Sequence, residues 1–385
     1  MLEQLFGVPF TLVSFLIALT VVVFVHEFGH FFVARRCGVR CESFSIGFGP
    51  EVFGITDKHG TRWKFSLIPL GGYVKMFGEG ETMQVVEGGK TTEVVRELTP
   101  EEQAVSFRHK TLAQRSAIVF AGPAVNLLFA IVVFWLTFSI GGRPLTDPVI
   151  GGVVEGGAAA EAGVQPGDRI VTIDGRPVER FEDIQTIVLL ANGAPMELGI
   201  SREGAEPQVI TVTPRMREEK DDAGNVTKRF MLGIMASREH MSVVKLNPVS
   251  AAGAAVYQTY DVIRTTFVAV GQMIDGSRGT EDLGGPIRIA QVSGQAAKTG
   301  VLGFILFMAI LSINLGVVNL FPVPLLDGGH LMFYAIEAVR RRPLSERVHE
   351  WGLRVGLALV LTLMVFVTWN DLVHVVGPWW NDIVN

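Results

Sequence analysis

VVVFVHEFGH, residues 21–30, decides the reading of this chain, because it sets two histidines and a glutamate inside an otherwise apolar run. On a helix His26 and His30 are i and i+4, so their imidazoles lie one above the other on one face, the spacing a divalent metal wants. Glu27 projects beside the pair and is the candidate general base, placed to take a proton from water that a metal has acidified. Two imidazoles leave a catalytic zinc one protein ligand short. A third ligand must come from far along the chain.

The HExxH pattern is short and also occurs in helices that bind nothing, so its surroundings carry the argument. From Leu5 to Val33 the strongly polar groups are His26, Glu27 and His30 alone. Ionisable groups at bilayer depth are costly enough to be functional by default. His26 lies nine residues before Arg35, roughly 13 Å inside the charged boundary at helical rise. A bound metal offsets most of that burial cost.

Composition agrees with a membrane protein. With 385 residues, 49% hydrophobic and a mean hydropathy of +0.38, the chain is too apolar for an ordinary soluble protein and long enough for a membrane part plus one small soluble domain. Its net charge of −5 gives no sign of nucleic-acid binding. Cys37 and Cys41 cannot build a disulfide framework and read as free thiols on a reducing side.

The expected fold is a multi-span α-helical membrane protein with four transmembrane helices, a membrane-associated β-hairpin or sheet and one inserted PDZ-like α/β domain. Residues 1–146 form the N-terminal membrane part. Its first span, about residues 6–34, has no basic stretch before it and no cleavage signature after it, and is read as retained. Arg35, Arg36 and Arg40 then mark the cytoplasmic side. Residues 44–77 read as short strands, with a hairpin at the turn of residues 57–60 and LGGYVKM as a further strand. Gly71, Gly72, Tyr73 and Val74 lie where an open edge could hold an unwound substrate as an added strand, although a plain hairpin on the cytoplasmic surface has the same pattern. Residues 79–106 are expected to be a solvated cytoplasmic loop, and the second span covers about residues 115–140. Its AGPAVN places Asn126 as a candidate outer-shell group.

Residues 147–240 change character to strand, Ala-rich helix, strand, turn and helix around AGVQPGDRIVTIDG. This order resembles a PDZ domain of the bacterial protease-associated type, which binds peptide ends by strand addition, and residues 150–154 would offer the edge. Residues 216–229 read as a charged insertion. Residues 241–300 are amphipathic outer-surface helices and linker. Residues 301–385 form the C-terminal membrane part, with a third span of about residues 301–339 broken at Pro322 and Pro324 and a fourth of about residues 351–376. Asp327 sits in that break, where a carboxylate completing a His2Asp set would be compensated. Asn314 and Asn319 are candidate donors to a substrate carbonyl, Asn319 the better placed, and His330 is a structural or outer-shell group.

HEFGH, GFGP, IPLGGYVKM, AGPAVN, the PDZ core and NLFPVPLLDGGHL together resemble the site-2 protease family of intramembrane zinc metalloproteases, most closely its bacterial regulator-of-sigma-E branch. The resemblance covers essentially the whole chain. It implies one Zn²⁺ per chain held by His26, His30 and Asp327, Glu27 as general base and Asn319 as a substrate-binding residue. It further implies substrates that are single-span membrane proteins, anti-sigma-factor-like after a first cut outside or remnant signal peptides, in the bacterial inner membrane, with the PDZ-like domain outside. Some members carry two PDZ domains, whereas this sequence has room for one. A metal transporter or a membrane-tethered PDZ adaptor are the rival readings from residues alone.

Overall fold

A computed structural model describes residues 2–78, 83–87, 90–94, 98–220, 226–237, 241–274, 276 and 284–384. Four helices are long and apolar enough to cross a membrane: Gly7–Arg36, Leu112–Ile140, Val301–Asn319 and Arg347–Val373. The chain divides into two compact units, Met1–Val133 with Ile289–Phe366, and Phe134–Arg288 with Val367–Asn385.

The first unit opens with α1 (Leu2–Arg36), apolar nearly all round and closed by Arg35 and Arg36, cations suited to the negative end of a helix. β1 (Cys41–Thr56) and β2 (Arg62–Met76) follow as a bent ribbon. Residues 41–46 are bordered by residues 72–76 on one side and by residues 62–65 on the other, and residues 53–56 complete the hairpin against residues 62–65. The expected separate strand at LGGYVKM is therefore the far end of β2, which turns near Gly71, a residue at φ +110° where a side chain would be strained. The ribbon is fastened to α1 by a ring cluster. Phe44 stacks on Trp63 at 4.5 Å between centroids, and Phe31 meets both edge-on at 5.6 and 5.0 Å. Asp57 fixes the hairpin turn by accepting the His59 and Thr61 N–H groups, and it also accepts Arg35 Nη1 at 3.0 Å and Trp63 Nε1 at 3.3 Å.

The loop expected over residues 79–106 contains regular structure. β3 (Met83–Glu87) pairs with β4 (Lys90–Val94), and α2 (Pro100–Val105) begins with a Thr99–Glu102 capping box. The Val- and Thr-rich segments favour strands and the T-x-x-E pattern opens a helix, while residues 79–82, 88–89 and 95–97 lie outside the described residues. α3 (Leu112–Ile140) is the second apolar helix and carries Pro123 in its first half.

In the second unit β5 (Arg143–Thr146) and β6 (Ile150–Val153) precede α4 (Ala158–Glu161), β7 (Arg169–Ile173), β8 (Arg176–Pro177), α5 (Phe181–Ala191), β9 (Met196–Ser201) and β10 (Gln208–Val212). β10, β9, β7 and β8 form one sheet in that order. Its inner face meets α5 over a core that includes Ile170, Ile173, Leu198, Ile200, Ile184 and Val188. β11 (Arg215–Lys220) and β12 (Val226–Met231) make a hairpin where a charged insertion was expected. β13 (Ile234–Ala236) then lies antiparallel on β6. β6 takes that partner on one side, so the edge expected to be open at residues 150–154 is paired over residues 150–153, and residues 230–234 border a cleft of about 460 Å³ against α5. β14 (Met241–Val244) pairs with β5, and α6 (Pro248–Ile274) and α7 (Pro286–Lys298) follow.

The chain returns to the first unit within α7, at Ile289, and continues through α8 (Val301–Asn319), the break at residues 320–326, α9 (Asp327–Arg340) and the start of α10 (Glu346–Val384). Pro322 and Pro324 cannot donate backbone bonds, so the helix stops and restarts. α10 touches the break through glycine: a Cβ at Gly356 would collide with the Pro324 carbonyl, and one at Gly352 would press on Phe333. Farther along α10, within the second unit, the Asp371 carboxylate accepts the N–H groups of Gly285, Ile287 and Arg288 at the start of α7.

Phe44 is 1% exposed, whereas Ile55 at the other end of the same strand is 72% exposed. Phe44→Ala should therefore destabilise the detergent-solubilised protein by about 3–5 kcal/mol, read as a lowered melting midpoint, and Ile55→Ala should leave that midpoint nearly unchanged. In the second unit Arg202, helped by the Gln165 N–H, holds the buried Asp168 carboxyl below the ordinary carboxylate range. A depressed folded value contributes stability that is complete above about pH 4 and is lost as pH falls through the folded value. Thermal unfolding of the full chain in that acidic window should show this loss, and Asp168→Asn should flatten it.

Candidate metal centre

His26, Glu27 and His30 stand on α1, and Asp327 opens α9 directly after the break. Asp327 Oδ2 lies 3.2 Å from His26 Nε2 and 3.5 Å from His30 Nε2. The two Nε2 atoms are 3.2 Å apart. One ligand atom from each residue falls within 4.8 Å of the others, and this is the one such cluster of His, Cys, Asp or Glu found among the described residues. Asp327 Oδ2 is buried and has no hydrogen-bond partner among them. Three electron-rich atoms at this separation repel one another unless a cation lies between them. Two imidazole nitrogens and one carboxylate oxygen are the donor set of a catalytic zinc with an open fourth position.

Each imidazole is held from behind. His30 Nδ1 is 2.9 Å from the carbonyl of Ile118. A carbonyl can only accept, so Nδ1 carries the hydrogen and the Nε2 lone pair faces Asp327. Asn126 packs its side-chain amide 3.2 Å from His26 Nδ1, and its Oδ1 is buried without a partner among the described residues. Turning that amide end for end lets Oδ1 accept the His26 Nδ1–H, which frees the His26 Nε2 lone pair in the same way. Ser312 on α8 holds the Asn126 backbone, its hydroxyl donating to the main-chain carbonyl at 3.0 Å. Gly122 makes the approach of α3 feasible, since a Cβ there would strike both imidazoles.

The other residues singled out from sequence divide by place. Asn319, the last residue of α8, has Nδ2 3.2 Å from His26 Nε2. The Val74 N–H donates to the Glu27 carboxylate, and a Cβ on Gly72 would touch Glu27 and Val23. Residues 71–74 thus run against α1 at the glutamate. Gly71, Gly72, Tyr73 and Val74 line a cavity of about 800 Å³ together with His26, Glu27, His30, Asn319 and Asp327. His330 lines the same cavity but stands outside the three-residue cluster. At its other end the cavity reaches Arg108, Arg115, Glu337 and Glu350, so that end is polar.

Leu325 and Glu337 had no reading at the sequence level. Leu325 takes φ +117°, a region that a side chain occupies only when its surroundings force it. Gly328 and Gly329 allow this compact loop, because a Cβ on either would meet the carbonyls of Leu320, Phe321 or Val323. Glu337, 7% exposed, takes Arg115 Nη2 at 3.1 Å on one oxygen and the Leu344 N–H at 3.0 Å on the other.

Zinc-peptidase chemistry is what this geometry accommodates, and relatives carry it by name. Residues 14–363 match Peptidase family M50, and the chain belongs to that family of metallopeptidases. It is 43% identical over 368 residues to "Putative zinc metalloprotease Atu1380" of Agrobacterium fabrum, covering 95% of this chain and 96% of that one. It is 45% identical over 364 residues to "Putative zinc metalloprotease mll0638" of Mesorhizobium japonicum, covering 94% and 98%. To the regulator of sigma-E protease RseP of Salmonella typhimurium it is 32% identical over 459 aligned positions, covering 95% and 99%. That alignment is longer than the 385 residues of this chain, so RseP holds insertions that are lacking here.

Removing the amide behind His26 tests the support. Asn126→Ala should weaken zinc binding by about ten- to a hundredfold in competition with a chromogenic chelator, and Gly122→Ala should weaken it too by pushing α3 off the imidazoles. Unchanged affinity in both variants would show that α3 does not orient the ligands.

Proposed function

We propose that this protein cleaves single-span membrane proteins within the bilayer, with one zinc ion held by His26, His30 and Asp327. The observation that carries the reading is the convergence of three ligand atoms from two distant segments beside Glu27, facing a free strand edge. When bound, zinc lowers the pKa of water toward 7 and polarises the carbonyl to be attacked. The protein's own groups do the rest. Glu27, steadied by the Val74 N–H, accepts the proton released from the attacking water and passes it to the leaving amine. Asn319 offers its amide N–H to the substrate carbonyl. Residues 71–74 hold the substrate extended, since a helical segment has its carbonyls already bonded and must unwind before cleavage. Water enters from the polar end of the cavity near Arg108 and Glu350. Asn126 orients His26, and His330 lines the cavity wall.

The relationship to RseP supports substrates of the anti-sigma-factor type, trimmed outside before they reach this site, or remnant signal peptides. The strand and helix order of residues 147–240 supports a PDZ-like domain, with peptide ends taken in the cleft between α5 and residues 230–234. Arg35, Arg36 and Arg40 after the first span, and residues 340–342 before the fourth, support an inner-membrane topology with that domain on the outer side.

A synthetic transmembrane peptide, incubated with detergent-solubilised protein, tests the assignment. Glu27→Gln should abolish cleavage, a loss of at least about a hundredfold, while zinc content measured by mass spectrometry stays near one per chain. Asp327→Asn should lose zinc together with cleavage. Peptide cleavage that survives Glu27→Gln would remove the glutamate from the mechanism.

A further inference from the structure

The second unit holds a cavity of about 720 Å³ between the start of α5 and the near face of α6, and none of its lining residues belongs to the metal cluster. Four arginines and four carboxylates line it, so it presents both signs of charge to a ligand. Arg143 is the odd member. Its Nη2 is buried and has no hydrogen-bond partner among the described residues. The neighbouring Arg180, 8% exposed, is satisfied by Asp183 and lies 6.0 Å from the Tyr257 ring. Burial first, and the charge of Arg180 second, oppose the charged form of Arg143. A guanidinium in that position is relieved by an anion with acceptor oxygens, of which phosphate is the best match. Glu179 and Asp261 line the same cavity and make no ion pair among the described residues. They suit a compact cation with N–H donors.

The place of the cavity names the source of such a ligand. Arg143 lies three residues past Ile140, the end of the second apolar helix, and Ile140 is 86% exposed. Trp135 Nε1, near the same end, donates to the Pro248 carbonyl at 2.8 Å and ties the start of α6 to that helix. α6 adds Tyr257 and Tyr260, 52% and 59% exposed. An arginine just beyond a span, flanked by Trp and Tyr, lies at the depth of lipid headgroups. We propose that this cavity binds the headgroup of an ethanolamine phospholipid, its phosphate on Arg143 and its ammonium on Glu179 and Asp261. The bound lipid would fasten the soluble part of this unit to the membrane surface. Choline headgroups lack N–H donors, and glycerol headgroups lack the cation.

Dihexanoyl ethanolamine, choline and glycerol phospholipids, each below its micelle-forming concentration, and inorganic phosphate are titrated into the full chain in detergent by calorimetry. Saturable binding of the ethanolamine lipid, about tenfold or more tighter than the other three ligands, is expected from one lost charge-assisted hydrogen bond. Arg143→Gln should weaken that binding by about tenfold or more with unchanged zinc content and melting midpoint. Glu179→Gln should narrow the preference for ethanolamine over choline, and this comparison decides the matter should the Arg143 variant not fold. Equal binding of all three lipids, phosphate binding as tightly as the lipid, or ethanolamine-lipid binding untouched by both substitutions would each overturn the proposal.

Discussion

Two imidazole nitrogens and one carboxylate oxygen, within 4.8 Å of one another among apolar helices, are the constraint on which the first unit depends. Left alone such a group is unfavourable, since it packs lone pair against lone pair where water cannot screen them. The surrounding structure removes each alternative to gripping a cation. The Ile118 carbonyl fixes which nitrogen of His30 is protonated, Asn126 does the same service for His26, and Gly122 lets α3 come close enough for both. The break before α9 supplies the third donor from the other end of the chain.

Beside this cluster the ribbon of β1 and β2 solves a second problem. On the proposed function that problem is opening the substrate, because peptide bonds in a helix have their carbonyls occupied and cleavage needs backbone that has been opened. Among the described residues, residues 72–76 have a ladder partner on one side alone, residues 41–46, and the other side runs past Glu27. Their position is not left to the loops. Phe31, one residue after His30, is packed with Phe44 and Trp63, so the ligand helix and the ribbon share one rigid joint.

His26, Glu27 and His30 were legible in the sequence because their spacing is that of one helical turn and their polarity is anomalous in an apolar run. Asp327 was legible for a related reason: a lone acid among prolines and glycines at membrane depth demands a partner. The four apolar helices follow from composition alone. The pairing of residues 83–87 with residues 90–94 was missed because Glu87 and Glu93 make these short Val- and Thr-containing segments read as polar loop. The pairing of residues 234–236 with residues 150–153, which takes one side of the edge expected to be open, joins segments some eighty positions apart, and no local pattern reveals it. Leu325 at positive φ has no local signal at all, because leucine is the last residue that pattern would suggest. Such conformations come from the packing of the whole loop.

Glu337 makes a last point about the ligand helix. It stands ten residues beyond Asp327 on α9, about 15 Å away along the axis. One of its oxygens is tied to Arg115 of α3 and the other to the backbone leading into α10. With the proposed zinc as its one anchor, α9 would be free to swivel about its long axis and carry Asp327 out of line. With the far end moored to two neighbours, torque applied anywhere along α9 is resisted at both extremities, and the carboxylate keeps its heading.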